Sequence, residues 1–369
     1  MSDGSVPAAA IKGGGLIQGS FDERDHYYQA QASTQPPPSL NLREAHAHLV
    51  NEIYDQGSTG SCTPNAAAAA FWYEEKAGRR ENVWGSVGPS RLFIYWLARG
   101  GYENDHHDIE NVSDNGSNSR DAMKGIAQVG ACSEDDWPFV DFKKIEHEVS
   151  RITPKLDRKA FDAEVKKRKD KIVNEKPTDA AFSKAAPHKI TSYYRVDPDR
   201  PDADDKKLNR SQKDLIGSKL LPNLKKCLTE GFPVAFAFWY YLPGDKMFDE
   251  ANKPFVLKDV WNMPDSKFPR HTFPEDLPNN LRIKDEKGKF TQPGHSVLAI
   301  GYDENRQQVL VQNSWGKKWS GNGTFWMPYA WITDFAATFD FWTIRTTHTL
   351  PDNQTKRWQD LHQEIMAVA

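Results

Sequence analysis

The sequence predicts an α+β fold of two lobes, a mainly helical one first and a β-rich one after it, with a cleft between them. Three observations predict it. Three segments between Ser61 and Val129 read as helices that each open on a serine. Beyond residue 215 the apolar segments become short, rich in β-branched and aromatic residues, and are punctuated by glycine and proline. Between these regions, from Asp141 to about Arg210, Lys, Arg, Asp and Glu dominate, which marks an insertion. The 369 residues include 12 Trp, 12 Tyr and 19 Phe, enough bulky material for a sizeable core although hydrophobic content is only 38%.

Residues 1–40 are rich in Gly, Ala, Ser and Pro, end in Pro36-Pro37-Pro38, and read as an extended N-terminal extension. The helical lobe, 41–140, begins with Ser61 to Lys76, where Ser61 is the expected N-cap, Pro64 is tolerated in the first turn and Ala66 to Ala70 have high helix propensity. Its alanine face permits the close approach that a helix buried between lobes requires. Ser90 to Ala98 and Ser119 to Val129 are the next two helices. Within the insertion, 141–212, a helix over 157–174 carries one narrow apolar stripe, Phe161, Val165, Ile172 and Val173, and is read as a solvated surface helix followed by the loop Val196 to Asp205. The β-rich lobe, 213–350, contains Pro233 to Tyr241, Ser296 to Tyr302, Gln307 to Gln312 and Thr324 to Met327. The tail 351–369 is polar, and a helix is the expectation there.

Net charge is −3 and the isoelectric point about 6.4, so no global field recruits nucleic acid or an anionic surface. A mean hydropathy of −0.73 and apolar runs far too short to span a bilayer argue against membrane insertion. Met1 to Gly19 lacks the uninterrupted apolar stretch of a secretory signal, and cytoplasmic residence is the expectation. Cysteines are Cys62, Cys132 and Cys227. The last two are read as small buried hydrophobes, with a single bridge between them as the alternative.

Tyr54-Asp55-Gln56-Gly57-Ser58-Thr59-Gly60-Ser61-Cys62 sets a thiol at the start of a helix and an amide side chain six residues upstream. Unpaired N–H groups and the positive end of the helix dipole favour a thiolate there. Far downstream, Gly294-His295 opens an apolar strand, and Gln312-Asn313-Ser314-Trp315-Gly316 follows. His295 would form a thiolate-imidazolium pair with Cys62, then protonate a departing amine and activate water. Asn313 would accept the other ring N–H and fix its plane without adding negative charge. Trp315 would shield that bond from water. Gln56, with the backbone N–H of Cys62, would donate to an oxyanion. The four residues Gln56, Cys62, His295 and Asn313 thus spell a cysteine acyl-transfer site, with no cofactor and no metal implied.

These motifs resemble the papain-like cysteine peptidases. Gln56 to Cys62 is similar to the family's Gln-Gly-Ser-Cys-Gly-Ser-Cys, Gly294-His295 with Val297 to Tyr302 to its histidine strand, and Asn313-Ser314-Trp315-Gly316 with Trp319, Asn322 and Gly323 to its asparagine motif. Weaker similarity covers Asp114-Asn115-Gly116-Ser117 and Trp137-Pro138-Phe139. The resemblance therefore spans most of 39–140 and 215–345, but not the insertion. It implies the papain-like two-lobe fold, with a helical N-terminal lobe, a β-barrel-like C-terminal lobe and the active site in the cleft, acting on peptide or protein substrates. It also implies that Gly116 and Ser117 present backbone to an extended substrate, and that Ala237 and Ser296 line the pocket for the residue second from the scissile bond.

The chain departs from the family in several places. Thr59 replaces a cysteine that secreted members use in a disulfide, and Thr63 replaces an aromatic residue, both in keeping with a reducing compartment. Cys62 and His295 are 295 − 62 = 233 positions apart, against roughly 130 to 150 in the family; the charged insertion accounts for the excess. A long helical inhibitory prosegment is not evident, and the short extension is the candidate for a cleft-blocking plug. His106-His107 precedes Asn115-Gly116, whereas the paired histidines of the family's carboxydipeptidases follow it, so a polar loop is the reading. His46 and His48 lack a metal-ligand pattern and are read as solvent-facing. Asn-X-Ser/Thr triplets at Asn111, Asn209, Asn322 and Asn353 matter only if the chain is exported. Two other readings stay open: an acyltransferase or deamidating enzyme using the same thiol, and a catalytically silent binding module.

Overall fold

The helices are α1 (Leu42–Ala45), α2 (Cys62–Ala77), α3 (Arg91–Trp96, continuing as a π turn over Leu97–Gly101), α4 (Ser119–Gln128), α5 (Phe142–Ile152), α6 (Arg158–Asn174), α7 (Asp179–Ala185), α8 (Arg210–Thr229) and α9 (Tyr329–Ile332). The strands are β1 (His26–Tyr28), β2 (Ser39–Asn41), β3 (Ser192–Arg195), β4 (Val234–Trp239), β5 (Phe248–Asp249), β6 (Phe255–Leu257), β7 (Gly294–Asp303), β8 (Gln308–Gln312), β9 (Thr324–Pro328), β10 (Thr338–Arg345) and β11 (Thr355–Arg357). This computed structural model describes residues 16–19, 22, 24–31, 33–46, 53–77, 87–101, 113–140, 142–153, 156–197, 208–243, 246–251, 253–264, 266–284, 290, 292–345 and 355–357.

The strands form one mixed sheet in the order β11-β1-β3-β10-β4-β7-β8-β9-β6-β5, with β2 also paired to β7. Among the described residues this path is open, with β11 and β5 at its ends, where the sequence led us to expect a barrel-like lobe. β4 and β7 sit centrally, and alternate residues serve opposite faces. Ala235, Leu298 and Ile300 pack with Ala66, Ala67 and Ala70 of α2, whereas Phe236, Val297 and Ala299 pack with Leu220, Leu224 and Leu228 of α8. The small side chains of α2 let its backbone approach the sheet closely, which is what the alanine run predicts.

The helix starts follow local chemistry, with two offsets. Ser90 caps α3, its hydroxyl accepting from Phe93 N–H at 3.1 Å. For α4 the cap is Asn118 rather than Ser119, its Oδ1 accepting from Asp121 N–H at 2.8 Å. Ser61 sits at the start of α2 and its carbonyl accepts the first helical bond, from Asn65 N–H. Its hydroxyl instead bonds the side chains of Thr59 and Asn65.

Both chain ends depart from their sequence reading. Residues 26–28, inside the supposed extended tail, are a sheet strand with Tyr27 and Tyr28 buried. Asp25 anchors that strand, because Arg120 of α4 grips its carboxylate through Nε at 3.1 Å and Nη2 at 2.6 Å, both residues buried. Arg195, Asp197 and Asp340 extend the buried charge network. Residues 355–357, expected to be helical, are β11 and pair with β1; the rest of 351–369 lies outside the described residues.

The insertion is also more deeply built in than its composition suggests. Val165 and Val173 of α6 are buried against Leu92 and Tyr95 of α3 and Phe142 of α5, α7 packs on Phe93 and Trp96, and β3 pairs with β10. Of the loop Val196 to Asp205, residues 198–205 lie outside the described residues. Cys132 and Cys227 are both free and buried, so the bridge is absent.

Candidate active site

Two of the four predicted catalytic residues meet through strand register. β7 lies beside β8, with Leu298 opposite Gln312, so His295 on β7 and Asn313 just past β8 come together. His295 Nε2 lies 2.7 Å from Asn313 Oδ1, and the same oxygen accepts the N–H of Ser314 at 2.8 Å. A backbone N–H can only donate, so the atom facing it is the amide oxygen. His295 therefore donates from Nε2 and its Nδ1 is the unprotonated nitrogen. Trp315 stacks on the imidazole with centroids 5.0 Å apart at 25°, and Trp319 meets Trp315 edge-on at 5.0 Å. The indole face of Trp315 therefore lies on the ring whose Nε2 bonds Asn313.

Gln56 is fixed by residues next to the same motif. Its N–H bonds Ser314 O at 2.9 Å, its Oε1 accepts from Ser314 Oγ at 2.5 Å, and its Nε2 donates to Thr59 O at 3.0 Å. One amide hydrogen is left over to donate to an oxyanion. Ser314 is the positioning partner that sequence reasoning passed over, although it lies inside the Asn313-Ser314-Trp315 motif. Phe238 and Tyr240, also missed, flank the imidazole at ring-centroid distances of 6.0 and 6.5 Å.

Cys62 is the first residue of α2. The backbone N–H groups of Ser296, Thr63 and Cys62 and the hydroxyl of Thr63 all act on its sulfur to favour the anion. Ser296 follows His295 directly, so the sulfur lies against the backbone of β7 next to His295. Burial outweighs those donors and pushes the Cys62 thiol up to about 11. Burial likewise pushes His295 down to about 4, against the bond to Asn313, which favours protonation. No hydrogen bond joins Cys62 to His295 among the described residues, and burial favours the neutral form of each. Burial, with Cys62 0% and His295 4% exposed, works against the thiolate-imidazolium pair expected from the sequence.

Leu16, in the extension read from the sequence as a candidate plug, lies at one edge of these residues. Leu16 is buried and bridges to Ser117, with Ile17 N–H bonding Ser117 O at 3.1 Å. A Cβ on Gly294, the residue before His295, would lie 2.6 Å from Leu16 Cδ2 and 2.6 Å from the Trp239 ring. Gly294 has no side chain, and that lets Leu16 and Trp239 close over this edge of the site.

The remaining predicted positions are placed as follows. Gly116 has φ 99° and its N–H bonds Tyr95 Oη at 3.0 Å, while Ser117 O also accepts from Thr63 Oγ1. Ala237 and Ser296 are cross-strand partners, both buried. His46 is half-buried at the end of α1 rather than solvent-facing. Asn209 caps α8 with a capping box, and Asn322 occupies a turn at φ 55°. His48, His106, His107, Asn111 and Asn353 lie outside the described residues. Among the described residues no helix is long and apolar enough to cross a membrane, and no three metal-ligating side chains gather.

The sequence profile of the papain family of cysteine proteases matches residues 282–333, the stretch holding His295 and Asn313. An uncharacterised peptidase C1-like protein of Acanthamoeba polyphaga mimivirus is 29% identical over 294 residues, covering 79% of this chain and 68% of the viral protein. Xylellain, a cysteine protease from Xylella fastidiosa, superposes with a TM-score of 0.57 at 27% identity, covering 91% of this chain and 97% of its own. Digestive procathepsin L2 from Tenebrio molitor larval midgut shares the fold, with a TM-score of 0.50 at 18% identity over 92% of this chain and 79% of its own. In sequence and fold the chain is thus similar to the papain-like cysteine peptidases.

Proposed function

We propose that the chain hydrolyses peptide bonds through a thioester at Cys62. The observation that supports the reading is the polarised sequence Ser314 N–H to Asn313 Oδ1 to His295 Nε2, which leaves Nδ1 as the free base that this reading turns toward the thiol. The thiol proton passes to Nδ1 as sulfur attacks the carbonyl carbon. The resulting oxyanion takes hydrogen bonds from the Cys62 N–H and the free Gln56 amide hydrogen. Collapse expels the amine, which carries away the proton from His295, and leaves the acyl-thioester. Water, deprotonated by the same nitrogen, then releases the acid and restores the thiol.

The N-terminal extension acts in this reading as a reversible plug. Leu16 against Gly294 and Ile17 on Ser117 occupy the wall that an extended substrate would use. Gly116 and Ser117 would present backbone to that substrate, and Ala237 and Ser296 would line its principal side-chain pocket. The three free cysteines support residence in a reducing compartment, which cell fractionation would check.

Turnover of a fluorogenic peptide, with mass-spectrometric detection of Cys62 acylation, tests the hydrolase. Loss of turnover in Cys62→Ala is expected, and hydrolysis unaffected by that change would overturn the assignment. An added amine appearing in the product in place of water would identify the acyltransferase reading instead.

A further inference from the structure

We infer that the inserted helix α6 is a positioning element of the catalytic cleft, holding the nucleophile loop and the substrate-backbone loop by separate polar contacts from adjacent residues; this rests on the peptidase reading above. Lys169 Nζ donates to Ser58 Oγ at 2.7 Å, reaching the loop that runs from Gln56 to Cys62, and is itself held by Glu146 of α5 at 2.9 Å. One residue on, Asp170 Oδ1 accepts the N–H of Asp114 at 2.9 Å, at the foot of the loop that presents Gly116 and Ser117. Lys166 bonds Ser113 Oγ at 2.9 Å and pairs with the second oxygen of Asp170.

Asp114 then joins the two loops. Its Oδ1 accepts from Gly60 N–H at 2.9 Å and from Tyr95 Oη at 2.7 Å, and Tyr95 Oη in turn accepts from Gly116 N–H at 3.0 Å. The loops also touch directly, because a Cβ on Gly60 would lie 3.0 Å from Gly116 N and from Asp114 Oδ1. A shift of α6 is therefore passed to both walls. The helix is a firm base for this, since Val165 and Val173 are buried against α3 and α5. The charged composition that suggests a solvated face includes three residues aimed at the cleft loops.

Because the two contacts reach different loops, they predict different kinetics. In the full chain, Asp170→Ala frees the substrate-backbone loop and raises KM about tenfold, with kcat within about twofold, in line with loss of a charge-assisted hydrogen bond. Asp170→Asn keeps an acceptor for Asp114 N–H and returns KM to within about threefold of wild type. Lys169→Met keeps the apolar stem but releases Ser58, lowering kcat about tenfold with KM within about twofold. Thermal midpoint and the fraction of Cys62 titratable by iodoacetamide are measured on every variant. Unchanged kinetic constants in an active background, or shifts confined to midpoint and titratable fraction, would overturn the inference. A wild-type chain with neither turnover nor Cys62 labelling would remove the peptidase reading, and this inference with it.

Discussion

Replacing Leu16 with alanine tests the plug directly. The side chain is 8% exposed, seated over Gly294 and beside Trp239, and its neighbour Ile17 keeps its bond to Ser117 in the variant. Burying a leucine side chain contributes about 1.5 to 3 kcal/mol. Losing about 2 kcal/mol of that moves the open-to-closed ratio by roughly 30-fold, because about 1.4 kcal/mol is a factor of ten. The initial rate on a fluorogenic peptide and the rate of iodoacetamide labelling of Cys62 should therefore both rise, by up to about 30-fold. Both are limited by the same opening, so they should rise together. A variant whose two rates match wild type would refute the plug. Deletion of residues 1–38 is the wrong experiment, since it also removes buried Tyr27 and Tyr28 and the partner of Arg120; deletion of 1–19 leaves β1 in place.

Gln56→Ala should lower kcat by about a hundred- to a thousandfold, the loss of one oxyanion donor, whereas Cys62→Ala should abolish turnover; equal residual rates would argue against these roles. Asp25→Ala should lower stability by about 3 to 5 kcal/mol in chemical denaturation, because the buried Arg120 guanidinium loses this carboxylate, and a change below about 1 kcal/mol would show that β1 is not anchored by this pair. Stability should also fall at both pH extremes. His295 is depressed to about 4, so the unfolded chain binds the extra proton below about 6.5 and stability is lost as pH falls from there through 4. Cys62 is raised to about 11, so the unfolded thiol ionises first and stability is lost as pH climbs from about 9 through 11. Cys62→Ala should remove its share of the alkaline loss in denaturant titrations across pH, and an unchanged alkaline limb would contradict that assignment.

The candidate catalytic residues stand out in the sequence because each chemical role restricts residue type and each motif is contiguous. Gln56 to Cys62, Gly294-His295 and Asn313 to Gly316 announce themselves, and α2 is bounded by Ser61 and the alanine run. Strand β1 was not legible. His26-Tyr27-Tyr28 is too short for alternation to emerge, and its partners β3 and β11 lie far away in the chain. The one-residue offset at α4 arises because Asn118 and Ser119 are both good caps, and only the fold decides which one is used. The function of α6 was hidden for a related reason. Lys166, Lys169 and Asp170 look like every other charged residue on that helix until tertiary structure brings Ser58, Ser113 and Asp114 within reach.

The neutral state of the Cys62–His295 pair ties the plug to the chemistry. Helix N-terminal donors and an adjacent imidazole argue for a thiolate in a hydrated cleft, and the donors, from Ser296, Thr63 and Cys62, act on the sulfur here. What differs is water. With the sulfur buried, creating an anion and a cation costs more than those donors return, so proton transfer from sulfur to Nδ1 is disfavoured while the cleft is shut. In the proposed reading, opening admits substrate and ionises the nucleophile in one step, so that a plug would restrain reactivity as well as access. It follows that Cys62 labelling, which passes through the open state in wild type and in Leu16→Ala alike, should persist at pH 5 in both, since only an ion-paired thiol remains reactive in acid. Labelling that disappears in acid in both proteins would mean that opening does not form the ion pair.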